Sequence, residues 1–246
     1  MIIESNQNPR FKKWSKLKQK KYREKQQEFI VEGEHLVLEA LAANAVKEIL
    51  IRENSHYQLP THLPTFTLGE HLFKQIATTQ TPQPVMAICK ITPQIINQKK
   101  RLLLLNRIGD PGNLGTLIRS AAAFGFDGVV LDEGCVDLYN EKVVRATGGA
   151  IFKIPVVKQA LPQYVSELKL EGVTVLGTRL EHGQSLKNVG NLAKMAVILG
   201  NEGSGIDEDL LMKVDQCVFI KMNAEIDSLN VAIAGSIIMH ELGLYG

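Results

Sequence analysis

The sequence predicts an α/β fold: a mostly parallel sheet in the second half of the chain, preceded by a smaller α/β unit. Three observations predict this. Short, continuous apolar runs such as 102–105 and 196–199 read as strands buried on both faces, the pattern of a parallel sheet. Stretches with helical apolar spacing lie between several of them. Loops rich in Gly, Pro, Asn and Asp follow the buried runs, where ligands bind in open α/β sheets.

Taken in order, residues 10–27 are Lys-rich and read as partly helical. Residues 29–31 read as a strand. Glu32-Gly33-Glu34 then turns the chain into a helix with Leu36, Val37, Ala40 and Leu41 at helical spacing. A strand at 48–51, a loop at 54–66 holding Pro60 and Pro64, a helix at 69–76 and a strand at 85–91 complete the unit. The polar stretch 93–100 marks the boundary, giving domains 1–96 and 97–246, of normal size. In the second domain, strands are expected at 102–105, 129–131, 173–176, 196–199 and 217–220. The last helix is expected from 229 or 230 to 242, with Val231, Ile233, Ala234, Ile237, Ile238 and Leu242 forming a broad apolar face.

With 246 residues, 45% hydrophobic and 22% charged, the composition is that of a globular protein able to bury a good core. No apolar run approaches the roughly 20 residues of a membrane helix, and the N-terminus lacks the apolar core of a signal peptide. Cys89, Cys135 and Cys217 are odd in number and widely spaced, which argues against a disulfide framework and for a reducing, cytoplasmic setting. Each is expected as a small buried apolar residue. The histidines form no metal-binding pattern, so no metal is expected. The net charge of +2 is uneven. Residues 1–25 hold nine Lys and Arg against two Glu, a balance of +7, which leaves −5 for the remainder. A basic arm on a mildly acidic body is the footprint of a polyanion partner, here nucleic acid; a solvated helix face is the plainer alternative. Trp14 and Tyr22, interleaved with these charges, either stack on bases or pack between helices.

Three loops carry chemistry. The first, 106–112, follows a buried strand and leads into a helix whose N-cap is expected to be Asn113 and whose C-terminal stop is Gly125. Arg119 then falls in the N-terminal half of that helix, where a cation is mildly disfavoured; it is either a solvated surface residue or has an anionic partner or a function. The second, 199–206, has three glycines in six residues, which allow close backbone approach to a ligand, and it presents Asn201 and Glu202. It fits neither the phosphate-binding loop of nucleotide hydrolases nor the dinucleotide fingerprint. The third, 227–232, leads into the last helix, which either Ser228 or Asn230 caps. Convergence of three such loops at one sheet end is a stronger argument for a site than any one of them.

Asn113-x-Gly-x-x-x-Arg119, Leu199-Gly-Asn-Glu-Gly-x-Gly205 and Ser228-Leu-Asn-Val-Ala232 resemble, in order and spacing, the three motifs of the SpoU (TrmH-like) RNA 2′-O-ribose methyltransferases. The stretch from Asn8-Pro-Arg10 to Glu34 resembles that family's L30e-like substrate-binding domain. The resemblance implies a SPOUT α/β fold with a C-terminal trefoil knot, a homodimer with the site near the subunit interface, and S-adenosylmethionine as cofactor. Gly200, Ile220 and Leu229 would contact the cofactor through the backbone, with Thr178, Asn201, Gly203 and Met222 nearby. Arg119 would activate the 2′-hydroxyl; because a guanidinium is essentially always protonated, it acts by stabilising developing alkoxide charge rather than as a base. Glu202 would orient Arg119 or accept a hydrogen bond. Asn113, Ser228 and Asn230 would fix ribose, Arg119 and cofactor. Arg10, Lys12, Lys13, Lys16 and Arg23 of the basic arm would contact RNA. Arg145 has two readings, a phosphate contact or a structural role. Large-subunit (23S-type) ribosomal RNA is the expected substrate. The competing readings are a transfer-RNA 2′-O-methyltransferase, a non-catalytic RNA-binding protein and a small-molecule enzyme.

Overall fold

The structure is a computed structural model describing residues 2–55, 57, 62–179, 183–223 and 228–243. The chain divides into two compact units: Met1–Pro93 with Asp137–Phe152, and Gln94–Val136 with Lys153–Gly246.

The first unit opens with β1 (Ile2–Ile3), α1 (Pro9–Lys16) and α2 (Lys20–Gln26). Asn8 caps α1, its side chain accepting from Arg10 N, with Pro9 at the first helical position. Phe11 and Trp14 lie on one face and are buried. Trp14 is fully enclosed, its indole N–H donating to Glu48 at 2.7 Å and its ring 5.2 Å from Phe66. Truncating such a residue to Ala costs about 3–5 kcal/mol. Then come β2 (Glu28–Glu32), α3 (Glu34–Ala42), β3 (Val46–Arg52), β4 (Thr65–Leu68), α4 (Glu70–Ile76) and β5 (Val85–Lys90). The sheet order is β1-β4-β3-β5-β2, with β5 antiparallel to both β3 and β2 and the other pairs parallel. The Glu28 side chain, nearly buried, is paired with Lys13 and Lys47, each at 2.6 Å. Burial pushes its carboxyl up, but hydrogen bonds and charge from the two ammonium groups outweigh this and hold it below the usual range.

The second unit begins with β6 (Arg101–Leu105), α5 (Pro111–Ala123) and β7 (Gly128–Leu131). The chain then supplies α6 (Glu141–Ala146) and a 3₁₀ turn (Ala150–Phe152) to the first unit, where Phe29 packs against Tyr139 and Phe152. It continues with β8 (Val156–Lys158), α7 (Leu161–Leu170), β9 (Thr174–Thr178), β10 (Gln184–Ser185), β11 (Met195–Leu199), α8 (Glu208–Leu211), β12 (Gln216–Phe219) and α9 (Val231–Leu242). These strands form one parallel sheet, ordered β10-β12-β9-β11-β6-β7-β8. Leu102 to Leu105 and Ala196 to Ile198 are completely enclosed, as strands covered on both faces must be. On one face, Leu102, Leu104, Val175 and Ile198 pack with Leu161, Val165 and Leu168 of α7 and Leu210 of α8. α9 approaches closely through Gly235: a Cβ there would sit 2.4 Å from Leu117 and 2.5 Å from Leu199. Ser120 and Ser236 join α5 to α9 by a 2.7 Å hydrogen bond. Among the described residues no helix is long and apolar enough to cross a membrane.

Several expectations are corrected. The cap of α5 is Asp110, whose side chain accepts from Asn113 N at 2.8 Å; Pro111 starts the helix, so Asn113 lies inside the first turn. Asp is as good a cap as Asn, and Pro favours the first helical position. Arg119 is therefore past the middle of α5, where the helix dipole no longer opposes a cation. The expected loop at 54–66 overlaps β4; its residues 56 and 58–61 lie outside the described part. β1, β8 and β10 are additional to the expected strands, being only two or three residues long. Cys89 and Cys135 are buried, and burial pushes the Cys135 thiol up to about 12, but Cys217 is only half-buried.

Candidate functional site

Because all strands of the second unit are parallel, their C-terminal ends lie along one edge. β6 runs into residues 106–110 and then α5, β11 into 200–207, and β12 into the segment before α9. The loop after β11 folds back on itself: Asn201 N donates to Gly205 O at 2.9 Å and Gly205 N to Asn201 O at 3.0 Å. The Asn201 side-chain oxygen accepts from Gly203 N and Ser204 N, closing the turn. No side chain fits at 200, since a Cβ would lie 2.2 Å from the Gly205 carbonyl carbon. Gly205 has φ +72°, which favours glycine.

Asn230, not Ser228, caps α9: its side-chain oxygen accepts from Ala232 N at 2.9 Å and Ile233 N at 3.3 Å. Its amide nitrogen donates to the Asn113 side-chain oxygen at 2.9 Å. The Asn113 amide nitrogen in turn donates to Glu202 Oε1, also at 2.9 Å. One chain of hydrogen bonds thus joins α9, α5 and the glycine-rich loop. Burial alone raises the Glu202 carboxyl; bonds from Asn113 and from the backbone N–H groups of Glu202, Gly109 and Asp110 reverse that and hold it below the ordinary value. Glu202 is therefore a fixed carboxylate, an acceptor rather than a proton donor.

Next to this chain is a cavity of about 260 Å³. Thr178, Gly200, Asn201, Ile220, Met222 and Leu229 line it, together with Glu202 and Ser228. Gly203, at the tip of the loop, does not. The walls include Val218, Phe219, Val231, Ala234 and Ile238, which sequence reasoning does not single out as site residues. The Thr178 hydroxyl donates to Ile198 O at 3.1 Å. Arg119 does not line the cavity; it is exposed, and among the described residues it has no hydrogen-bond or ion-pair partner.

A polar cluster behind the loop is a further finding that the motifs do not predict. Asn106 is 3% exposed and donates to both Asp132 (2.7 Å) and Asp207 (3.0 Å), while its side-chain carbonyl accepts from Asp207 N. Arg107, at φ +58°, pairs with Asp207 at 2.6 Å, and its carbonyl accepts from the Asn201 side chain. These bonds tie the start and end of the glycine-rich loop to β6. The only sequence signal is a polar residue directly after a buried strand.

In the first unit the basic arm divides. Arg23 is 4% exposed, donates to the Leu17 and Lys18 carbonyls and pairs with Asp137, so it is a structural tie and leaves the RNA-facing set. Lys13 is held by Glu28, and Arg10 by Glu48 and the Phe66 ring. Lys12, Lys16 and Arg145 are exposed and have no carboxylate partner among the described residues.

Compared with known proteins, residues 100–240, more than half of the chain, match the SpoU rRNA methylase family. The chain belongs to that family. Residues 8–87 match the MRM3-like substrate binding domain. A SpoU relative from Bacillus subtilis, the 23S rRNA (guanosine(2553)-2′-O)-methyltransferase RlmP, is 42% identical over 98% of each chain. Two solved structures superpose over nearly the full length. An AdoMet-bound rRNA methyltransferase from Sinorhizobium meliloti has a TM-score of 0.88 at 28% identity, covering 98% of this chain and 97% of that one. A TrmH-family RNA methyltransferase described as putative, from Porphyromonas gingivalis, has a TM-score of 0.85 at 30% identity, covering 97% and 98%.

Proposed function

We propose that this SpoU-family chain transfers the methyl group of S-adenosylmethionine to a ribose 2′-hydroxyl of 23S-type ribosomal RNA, at a guanosine. The observation that carries the reading is the Asn230–Asn113–Glu202 chain, which joins all three motifs beside the cavity. The full-length likeness to RlmP supports the ribosomal substrate and the guanosine.

The cavity lining fits the cofactor: apolar walls from Leu199, Val218, Ile220 and Ile238 suit a flat base, and Thr178, Asn201 and Ser228 offer polar atoms. When bound, the cofactor supplies a methyl group made electrophilic by its sulfonium. Gly200, Ile220 and Leu229 hold it through their backbones, with Thr178, Asn201 and Met222 alongside; Gly203 serves the turn. Glu202 and Asn113 are positioning residues that lock the loop to α5. Ser228 and Asn230 orient groups at the cavity wall. Arg119 stabilises negative charge developing on the 2′-oxygen, and a neighbouring RNA phosphate takes the proton that the hydroxyl gives up.

The working form in this proposal is a homodimer. Leu229, Ile233 and Ile237 are exposed at helical spacing along and just before α9, and Leu229 also lines the cavity. A second copy covering this stripe buries it and closes the mouth of the cavity. The trefoil knot belongs to the same proposal; it is supported by β12 returning to lie between β9 and β10, two strands formed earlier in sequence. Residues 1–96 serve as the RNA-binding domain and 97–246 as the methyltransferase domain, acting in the cytoplasm. The test is methyl transfer from labelled S-adenosylmethionine to ribosomal and transfer RNA from cells lacking this gene. Label confined to the ribosomal fraction supports the reading, and label confined to transfer RNA replaces its substrate. Cofactor binding with no transfer to either RNA favours a non-catalytic RNA-binding protein.

A further inference from the structure

The first unit contains a second concave site, unconnected with the three motifs. α1 and α2 enclose a groove of about 390 Å³ lined by Pro9, Lys12, Lys16, Tyr22, Lys25 and Gln26, with Lys13 at its side. No carboxylate pairs with Lys12, Lys16 or Lys25 among the described residues: Lys12 donates to the neutral Gln7 amide, and Lys16 lies over the Tyr22 ring at 5.3 Å. Lys21 approaches the same ring at 5.0 Å. Tyr22 is only half-buried, whereas Trp14, the other aromatic of the arm, is completely enclosed.

We infer that this groove binds an unpaired nucleotide segment of RNA, with one base stacked on Tyr22 and the flanking phosphates on Lys12, Lys16 and Lys25. The inference rests on the proposal that the chain acts on RNA, and it names where the first unit grips its substrate. Ammonium–ring contacts at exposed sites are weak, so a base displaces one ammonium from Tyr22, which then serves the adjacent phosphate. A duplex keeps its bases paired and stacked, leaving none for the ring, so the groove selects single strands.

The test uses the full chain and a short fluorescein-labelled single-stranded RNA of mixed sequence, with the matching duplex as comparison. Tyr22→Ala is expected to weaken single-strand binding roughly 5- to 150-fold, the usual range for one lost base stack. Tyr22→Phe retains the ring and is expected to bind within about twofold of wild type. The Lys16→Ala/Lys25→Ala double variant is expected to flatten the salt dependence of single-strand binding by about one to one and a half in log–log slope. Thermal melts of each variant separate binding loss from unfolding, and Tyr22→Phe provides the folded control. The inference is overturned if Tyr22→Ala, folded, binds like wild type, if the duplex binds as well as the single strand, or if polyglutamate competes as well as RNA. Methyl transfer by the wild type is measured in parallel. If it transfers methyl to ribosomal RNA while Tyr22→Ala binds normally, the groove assignment falls and the enzymatic reading stands. If it neither transfers methyl nor binds RNA, both fall.

Discussion

Asn230 does two jobs that one substitution separates. Its side-chain oxygen caps α9 and its amide nitrogen donates to Asn113. Asn230→Asp keeps an oxygen for the cap, and Asp caps as well as Asn, so stability is expected to change by less than about 0.5 kcal/mol. The link to Asn113 is lost, because a carboxylate then faces the Asn113 oxygen. Flipping the Asn113 amide does not repair this, since the flipped oxygen would face the Glu202 carboxylate. The loss of one hydrogen bond and the repulsion between two facing acceptors together cost about 1–3 kcal/mol. Asn230 is exposed, so water takes up the freed acceptors in the unbound protein, and the cost appears when cofactor and RNA exclude that water, as roughly 5- to 150-fold in transfer. Asn230→Ala loses the cap as well and is expected to be less stable by about 1 kcal/mol. Paired thermal melts and single-turnover methyl transfer read the two effects separately. Full transfer by Asn230→Asp would refute the claim that the link between motifs matters.

Arg119→Lys keeps the charge but loses the planar fork; because Arg119 is exposed and without a partner among the described residues, the melting temperature should hold while turnover falls at least about 100-fold. Gly200→Ala places a Cβ 2.2 Å from backbone, so calorimetry should find cofactor affinity reduced at least about tenfold. Ile233→Glu puts a charge in the exposed apolar stripe of α9, and light scattering should then find monomers where the wild type is dimeric. The Glu28 carboxyl lies below its unfolded value, so its contribution is complete above the unfolded pKa of about 4.3 and is lost as pH falls through the folded one. The stability gap between wild type and Glu28→Gln, measured by urea unfolding, should therefore be constant from about pH 6 to 8 and narrow below about pH 4.

The buried strands are legible in the sequence because both faces of the parallel sheet are covered, leaving long apolar runs with no polar alternation. β8 and β10 are not, since three or two residues give no period to read. β4 is hidden behind a Pro-containing segment, although Thr65 to Leu68 alternate in burial. Asn113 reads as a cap although Asp110-Pro111 is an equally good start, and choosing between them requires seeing which side chain accepts the free N–H. In the site, the motif residues are readable from their polar character after buried strands, but the direction of each hydrogen bond is not. Asn106 and Asp207 escape notice because they are bonded to each other across 101 positions of sequence. The basic arm is visible as charge alone; only packing distinguishes Arg23, tied to two carbonyls and Asp137, from Lys16 and Lys25, which remain available.

The central claim is tested most directly by incubating the protein with labelled S-adenosylmethionine and 23S ribosomal RNA from cells lacking the gene, then digesting the RNA to nucleosides. The account predicts label in 2′-O-methylguanosine, abolished by Arg119→Lys. Label on a base, or in a 2′-O-methylnucleoside whose yield Arg119→Lys leaves unchanged, would contradict it.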